Sequence, residues 1–208
     1  MSARSLLLLA GALTLAGAAC GKKPASVAPD PASTVSTPSA AVSAVASSLN
    51  VVVAKEGAYR VTYPADARLM PDRVMEVATD VGTVALHVSG ANAGDAIYAV
   101  EWGNYPPYFV VEQGEATTVA KGTRAVLAAE KGTVVAESSF VDHGDHWQEV
   151  VYRVDGKIAW HRLRATMRGA RMYLVMVSAL ERAGIDDARE KAFFESFTLM
   201  PVAGGPSP

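Results

Sequence analysis

Residues 142–146 carry the side chains of this chain with the most evident capacity for chemistry. They read Asp142-His143-Gly144-Asp145-His146, so two imidazoles lie three positions apart beside two carboxylates. These groups bind divalent cations, which makes His143, Asp145 and His146 candidate metal ligands. The run also fits a hairpin turn, in which Asp and Gly serve the backbone and the histidines point to water. Because no further ligand is identifiable and a turn is expected here, we prefer the turn and predict no metal or other cofactor.

A second set of candidates follows in an alternating stretch, where these residues are predicted to share one face of a sheet: Glu149, Arg153, Arg162, Arg164, Trp147 and Trp160. Arginine guanidiniums above indole rings can form a groove for an anionic or aromatic partner. The structural interpretation, which we prefer, pairs Glu149 with Arg162 and lays the arginine stems over apolar rings. Trp160, Arg162 and Arg164 remain candidate partner-binding residues.

Tyr105 and Tyr108 frame two prolines and form the third candidate. This segment fits either a recognition loop for a partner or a rigid turn between a strand and a helix. The remaining histidines, His87 and His161, fall in predicted strands, where we expect face residues and not ligands. Nothing resembles a nucleophile elbow, a phosphate loop or a dinucleotide fingerprint, and no catalytic residue is assigned. An enzyme is not thereby excluded, because catalytic groups can converge from distant positions.

Three antiparallel strands, predicted over 147–154, 157–167 and 172–177, would position most of these candidates. Asp155-Gly156 separates the first two runs and is typical of a type I′ hairpin turn, which needs positive φ at both central residues. That turn would place Val151 opposite Trp160 and Glu149 opposite Arg162, both favourable cross-strand pairs.

The rest of the domain alternates between strand and helix signals. Strands are predicted over 59–64, 73–78, 83–88, 96–102, 133–141 and 198–199, with a loop over 89–94. Apolar residues at helical spacing predict a helix over 115–130, and Asp186-Asp187 begins a second helix with acids at its positive end. Helices that interrupt an antiparallel sheet predict an α+β domain.

Short segments of this domain resemble Mog1/PsbP-like domains: Tyr59-Arg60-Val61-Thr62-Tyr63-Pro64, Tyr98-Ala99-Val100-Glu101-Trp102, Tyr105-Pro106, Arg171-Met172-Tyr173-Leu174 and Phe193-Phe194-Glu195-Ser196-Phe197-Thr198-Leu199. The resemblance covers about residues 55 to 200. It implies a curved antiparallel β-sheet flanked by helices, an αβα sandwich. Several bacterial members, including the DcrB-like group, are lipoproteins, and most have no established activity. The family brings no catalytic motif, and the photosystem role of PsbP is not implied.

The N-terminus predicts export. Arg4 is followed by an apolar run, which ends in small residues at position 19. This is the layout of a signal peptide, and the apolar run is too short for a stable transmembrane helix. Gly17-Ala18-Ala19-Cys20 resembles the lipobox of bacterial lipoproteins, which implies cleavage before Cys20 and acylation of its thiol. A plain secretory signal and an uncleaved anchor are the alternatives. By the same resemblance, Gly21 favours the outer membrane, with the domain facing the periplasm.

Composition bounds the remaining interpretation. The 208 residues are enough for one domain with additional terminal segments. The net charge of −2 gives no strong electrostatic attraction for nucleic acid. The Pro-, Ala- and Ser-rich stretch 20–48 cannot bury enough surface to fold, so it predicts a linker before a domain over 49–200 and a tail over 201–208. We expect a membrane-anchored binding or scaffolding module with an envelope protein partner. The alternatives are a metal-dependent protein or enzyme using 142–146, and a purely structural component.

Overall fold

The computed structural model describes residues 50–79, 82–155 and 160–201. The predicted signal peptide, Cys20, the linker and all of the tail beyond 201 lie outside these residues. The elements are β1 (Asn50–Ala54), β2 (Tyr59–Tyr63), β3 (Arg68–Leu69), β4 (Arg73–Thr79), β5 (Gly82–Ala93), β6 (Ala96–Asn104), α1 (Pro107–Gln113), α2 (Glu115–Glu130), β7 (Thr133–Asp142), β8 (Asp145–Arg153), β9 (Trp160–Arg168), β10 (Arg171–Ala179), α3 (Asp187–Ser196) and β11 (Thr198–Leu199).

A large antiparallel sheet forms the middle layer of the domain. Within the described residues its strand order is β3-β5-β6-β10-β9-β8-β7, with β4 also paired to β5, and β1-β2-β11 form a separate small sheet. Helix α2 packs over β8 and β9 on one face. The small sheet and α3 cover the other face. The predicted fold class, an α+β domain with an antiparallel sheet between helices, is therefore confirmed.

The two faces of the sheet bury different side chains. Beneath α3 and the small sheet the core is aromatic, and the rings of Tyr63 and Tyr98 lie 5.5 and 5.2 Å from that of Phe193. The Ser89 hydroxyl lies 2.9 Å from the hydroxyls of both Tyr59 and Tyr63, so these buried polar groups satisfy one another. Beneath α2 the core is mainly aliphatic.

The predicted hairpin turn at Asp155-Gly156 is wrong. Strand β8 ends at Arg153, which pairs with Trp160, whereas a two-residue turn at 155 and 156 would pair Val151 with Trp160; Gly156 itself lies outside the described residues. The observed register places Val151 opposite Arg162 and Glu149 opposite Arg164, two residues away from the predicted pairs. Alternation cannot detect this difference, because a slip of two residues returns every side chain to the same face.

The predicted loop over 89–94 is also wrong. Strand β5 continues to Ala93, and the turn to β6 falls at Gly94 and Asp95, where Gly94 has φ +58°. Gly90 is a strand residue at a point where the backbones of β5 and β6 leave little room for a side chain. A Cβ on Gly90 would lie 3.0 Å from the Tyr98 carbonyl oxygen. Strands β1 and β3 and helix α1 were not predicted. Among the described residues no helix has the length and apolarity needed to cross a membrane.

Candidate functional site

The run at 142–146 forms the hairpin between β7 and β8. His143 and Gly144 have φ +50° and +87°, the positive values that a tight hairpin turn of this kind needs. Asp145 is engaged by Arg168, whose Nε and Nη2 donate to it at 3.1 and 2.5 Å. The described residues hold no group of three or more His, Cys, Asp or Glu side chains that could hold a metal ion. Metal binding by His143, Asp145 and His146 stays an untested alternative to the preferred turn, whose positive φ at Gly144 explains the glycine.

The candidate arginines on β9 contact acids and rings of their own chain. Arg164 Nε donates to Glu149 Oε2 at 2.5 Å, and its guanidinium carbon lies 4.6 Å from the centre of the Phe194 ring. Arg162 Nη1 donates at 3.0 Å to the buried Glu190 of α3. The predicted Glu149–Arg162 pair is therefore wrong, although the predicted shared face is right. Arg162 of β9 thus contacts α3, and Arg164 of β9 contacts both β8 and α3. A role of these arginines in partner binding stays a prediction.

The candidate tyrosines do not share a surface with Trp160 and the arginines. Pro107 begins α1, so the segment after Tyr105 is the first turn of a helix and not an open loop. Tyr105 is half-buried and packs against the α2 side of the sheet, whereas Trp160 packs against the core on the α3 side. Tyr108 is 58% exposed. The predicted partner-binding residues thus form two patches on opposite faces.

One opening in the described surface was not among the predicted sites. It is a groove of about 330 Å³ between α2 and the end of the β7–β8 hairpin, a size within the lower range of ligand pockets. Ala116, Ala120 and Arg124 of α2 line one side, and Ser139, Val141 and His146 of the hairpin line the other. We call this opening the α2–β7 groove. It combines apolar surface with a guanidinium and an imidazole.

The groove exists because α2 leaves β7 uncovered. The helix lies over β8 and β9, one strand short of the edge of the sheet. All ten residues of β7 are exposed, and among the described residues β7 pairs with β8 alone. One sign of this was present in the sequence: apolar residues adjoin at both ends of the strand, as Val134-Val135 and Phe140-Val141, so neither face alternates cleanly.

A pair of acids lies in the layer between α2 and the sheet. Glu101 of β6 is buried, and burial, with a smaller contribution from the charge of Glu130, raises the pKa of Glu101 to about 8. Within the described residues neither Glu101 Oε2 nor Glu130 Oε2 has a hydrogen-bond partner. The cavities beside them measure about 20 and 10 Å³, room for nothing larger than a water-sized group. We therefore expect these acids to affect the stability of the fold and not to bind a ligand. The α2–β7 groove is the candidate binding surface.

Comparisons with known proteins find likeness in solved structures alone. The chain matches no family model and no curated protein. It is similar to the solution structure of cyanobacterial PsbP (CyanoP) from Synechocystis sp. PCC 6803, with 14% sequence identity and a TM-score of 0.48, over 77% of this chain and 98% of that one. PsbP is the protein whose domain family the sequence resembles. The functional argument that follows uses this chain's own residues.

Proposed function

We propose that this chain is a lipid-anchored protein of the bacterial cell envelope whose domain binds a protein partner and catalyses no reaction. The observation that carries the binding role is the α2–β7 groove, an opening of about 330 Å³ beside a strand exposed along its whole length. An exposed edge strand offers unpaired backbone groups, and an adjoining groove offers pockets for side chains. Together they fit an extended protein segment better than a small molecule.

The proposed anchor has its support in the sequence. Cys20 is the single cysteine of the chain, and it follows the small residues at the end of an apolar run. Two or more acyl chains on that residue would hold the protein to a bilayer lastingly, since each buried CH₂ contributes about 0.8 kcal/mol. The stretch 21–48 would act as a spacer, and as a flexible coil it would span roughly 30 Å. Membership of the DcrB-like lipoproteins and location in the outer membrane belong to this proposal.

A pair of matched substitutions on α2 tests the binding role. Ala116 and Ala128 are both exposed alanines of this helix, but Ala116 lines the groove and Ala128 does not. With a photo-reactive residue in place of Val141, the full chain in living cells should cross-link to a partner through the groove. Ala116→Arg should abolish that adduct by filling the groove, and Ala128→Arg should leave it intact.

The control defines what would refute the binding role. If the adduct survives Ala116→Arg, or is lost equally with Ala128→Arg, the groove does not bind the partner. If the chain whose only change is the photo-reactive residue at 141 gives no adduct under any growth condition in which it is expressed, the domain has no partner at this surface. The second result would favour the purely structural alternative.

A further inference from the structure

Strand β7 has the features of an edge that is paired in the working protein. It is ten residues long, all of them exposed, with Val135 51% and Val141 61% accessible. Its interior carries a single charge, Glu137, whose Oε1 accepts a hydrogen bond from Gln148. Proteins commonly protect edge strands with charges, prolines or a covering element, and an exposed apolar edge is a template for another strand.

The opposite edge of the sheet is protected in the usual way. It consists of β3 and β4, which carry Arg68, Arg73 and Glu76, with Pro71 between them. All four of these residues are exposed. The same chain therefore places three charges and a proline along one edge, beside the exposed Leu69 and Val74, and a single charge inside β7 at the other. This asymmetry indicates that β7 receives a strand.

The sequence of β7 is complementary to itself. Two copies of one strand pair antiparallel about a twofold axis perpendicular to the sheet, so one residue must lie opposite its own copy. With Ser138 at the axis, Val135 lies opposite Val141 of the second copy, and Ala136 lies opposite Phe140. These apolar pairs lie on opposite faces of the ladder and flank a polar centre, in which Glu137 lies opposite Ser139.

Neighbouring registers are worse. Placing Glu137 at the axis sets two carboxylates directly opposite each other, which is destabilising. Placing Ser139 at the axis sets Glu137 opposite Val141. The register shift between Val134 and Ala136 against β8 leaves the centre of this ladder, Ala136 to Phe140, regular and places Val135 in the bulge at its ends.

We propose that the protein forms a homodimer in which β7 pairs antiparallel with β7 of a second copy, with Ser138 on the twofold axis. The two eight-stranded sheets become one continuous sheet, and both α2 helices lie on the same face of it. The two α2–β7 grooves then adjoin across the paired strands. This inference rests on the proposed function in one respect, since it names a second copy as a partner at the surface assigned there to binding.

Two adjacent serines supply the test. Ser138 and Ser139 are both exposed, but only Ser138 faces its own copy. Opposed residues in an antiparallel pair have Cα atoms about 4.5–5.5 Å apart, which suits a disulfide, whereas the Ser139 pair is diagonal at about 7–8 Å. The full chain carrying Ser138→Cys or Ser139→Cys is oxidised in cells and run on non-reducing gels, with the wild-type chain controlling for links through Cys20.

We expect Ser138→Cys to give a dimer band, reversed by reductant, in several-fold excess over Ser139→Cys. Adding Val141→Lys to Ser138→Cys should remove most of that band, because each lysine would face Val135 of the second copy. Equal yields from the two cysteines, a preference for Ser139→Cys, or no dimer would overturn the proposal. If Ser138→Cys links only to a different protein, the homodimer is wrong and the binding role stands. A Ser138→Cys dimer in a chain whose photo-reactive residue at 141 links only to a second copy would support the homodimer and refute a separate protein partner in the groove.

Discussion

At the scale of single residues, Glu101 brings a carboxyl group into the dry layer beneath α2. Burial raises its pKa from an ordinary value near 4.5 to about 8, and Glu130 adds to the effect. A raised pKa in the folded state means that the folded protein holds a proton that the unfolded chain releases. Stability is therefore highest at low pH in this window and is lost as the pH rises.

The first prediction concerns this pH dependence. The free energy of unfolding should fall between about pH 4.5 and about pH 8 through Glu101, by at most about 1.4 kcal/mol per pH unit for one proton. Glu101→Gln keeps the shape of the side chain but removes its titratable carboxyl group. The free energy of unfolding should therefore vary less with pH, and it should be higher at pH 8 than in the wild type. Urea unfolding at several pH values measures this. The matched control is Glu76→Gln, at an exposed position, and a decline unchanged in Glu101→Gln would refute the assignment.

The second prediction concerns Ser89. Its hydroxyl lies 2.9 Å from those of Tyr59 and Tyr63 in the aromatic core. Ser89→Ala removes the shared partner of two buried phenols, and a buried polar group left unpaired costs about 1–3 kcal/mol. Urea unfolding should show a loss of that size, whereas Ser139→Ala on exposed β7 should change stability little. An equal effect of the two substitutions would show that the hydroxyl bridge contributes nothing.

At the scale of elements, local signals predicted α2, α3 and most strands well, but not α1. Helix α2 occupies 115–130 as its apolar spacing predicts, and α3 begins at Asp187 after the cap residue Asp186. These signals depend on neighbours in sequence. The β8–β9 register depends instead on contacts with α3, where Arg162 reaches Glu190 and Arg164 lies against Phe194. No pattern within the hairpin carries that information.

The groove was missed for a related reason. Its walls come from α2 and the β7–β8 hairpin, and it opens only because the helix lies over β8 and β9 and stops short of β7. Helical periodicity predicts which face of α2 is buried, but not which strands that face covers. The run at 142–146, by contrast, was predicted as a turn from residue types alone, and His143 and Gly144 adopt it.

The third prediction tests the start of α3. The Asp186 side chain accepts hydrogen bonds from the backbone nitrogens of Ala188 and Arg189 at 2.9 and 3.0 Å. Asp186→Ala should lower the free energy of unfolding by about 0.5–2 kcal/mol, the usual cost of losing a helix cap. Glu195→Ala, an exposed acid at the other end of α3, is the control. If both substitutions cost the same, the cap is not the cause.

At the scale of the whole molecule, the proposed protein has three parts with different physical roles. An acylated Cys20 would supply attachment, the stretch 21–48 would supply reach, and the domain would supply a surface for a partner. Confinement to a membrane raises the local concentration of copies, which favours pairing through an edge strand. The dimer and the anchor therefore support each other, although each has its own test.

Mass spectrometry of the N-terminal peptide, from protein purified out of bacterial membranes in detergent, tests whether Cys20 is acylated. The account predicts a peptide that begins at Cys20 and carries a diacylglyceryl group on its sulfur. Cys20→Ser should lack that mass and should be found uncleaved or released from the membrane. An unmodified Cys20 sulfur on the processed protein, or wild-type processing and sorting of Cys20→Ser, would contradict the account.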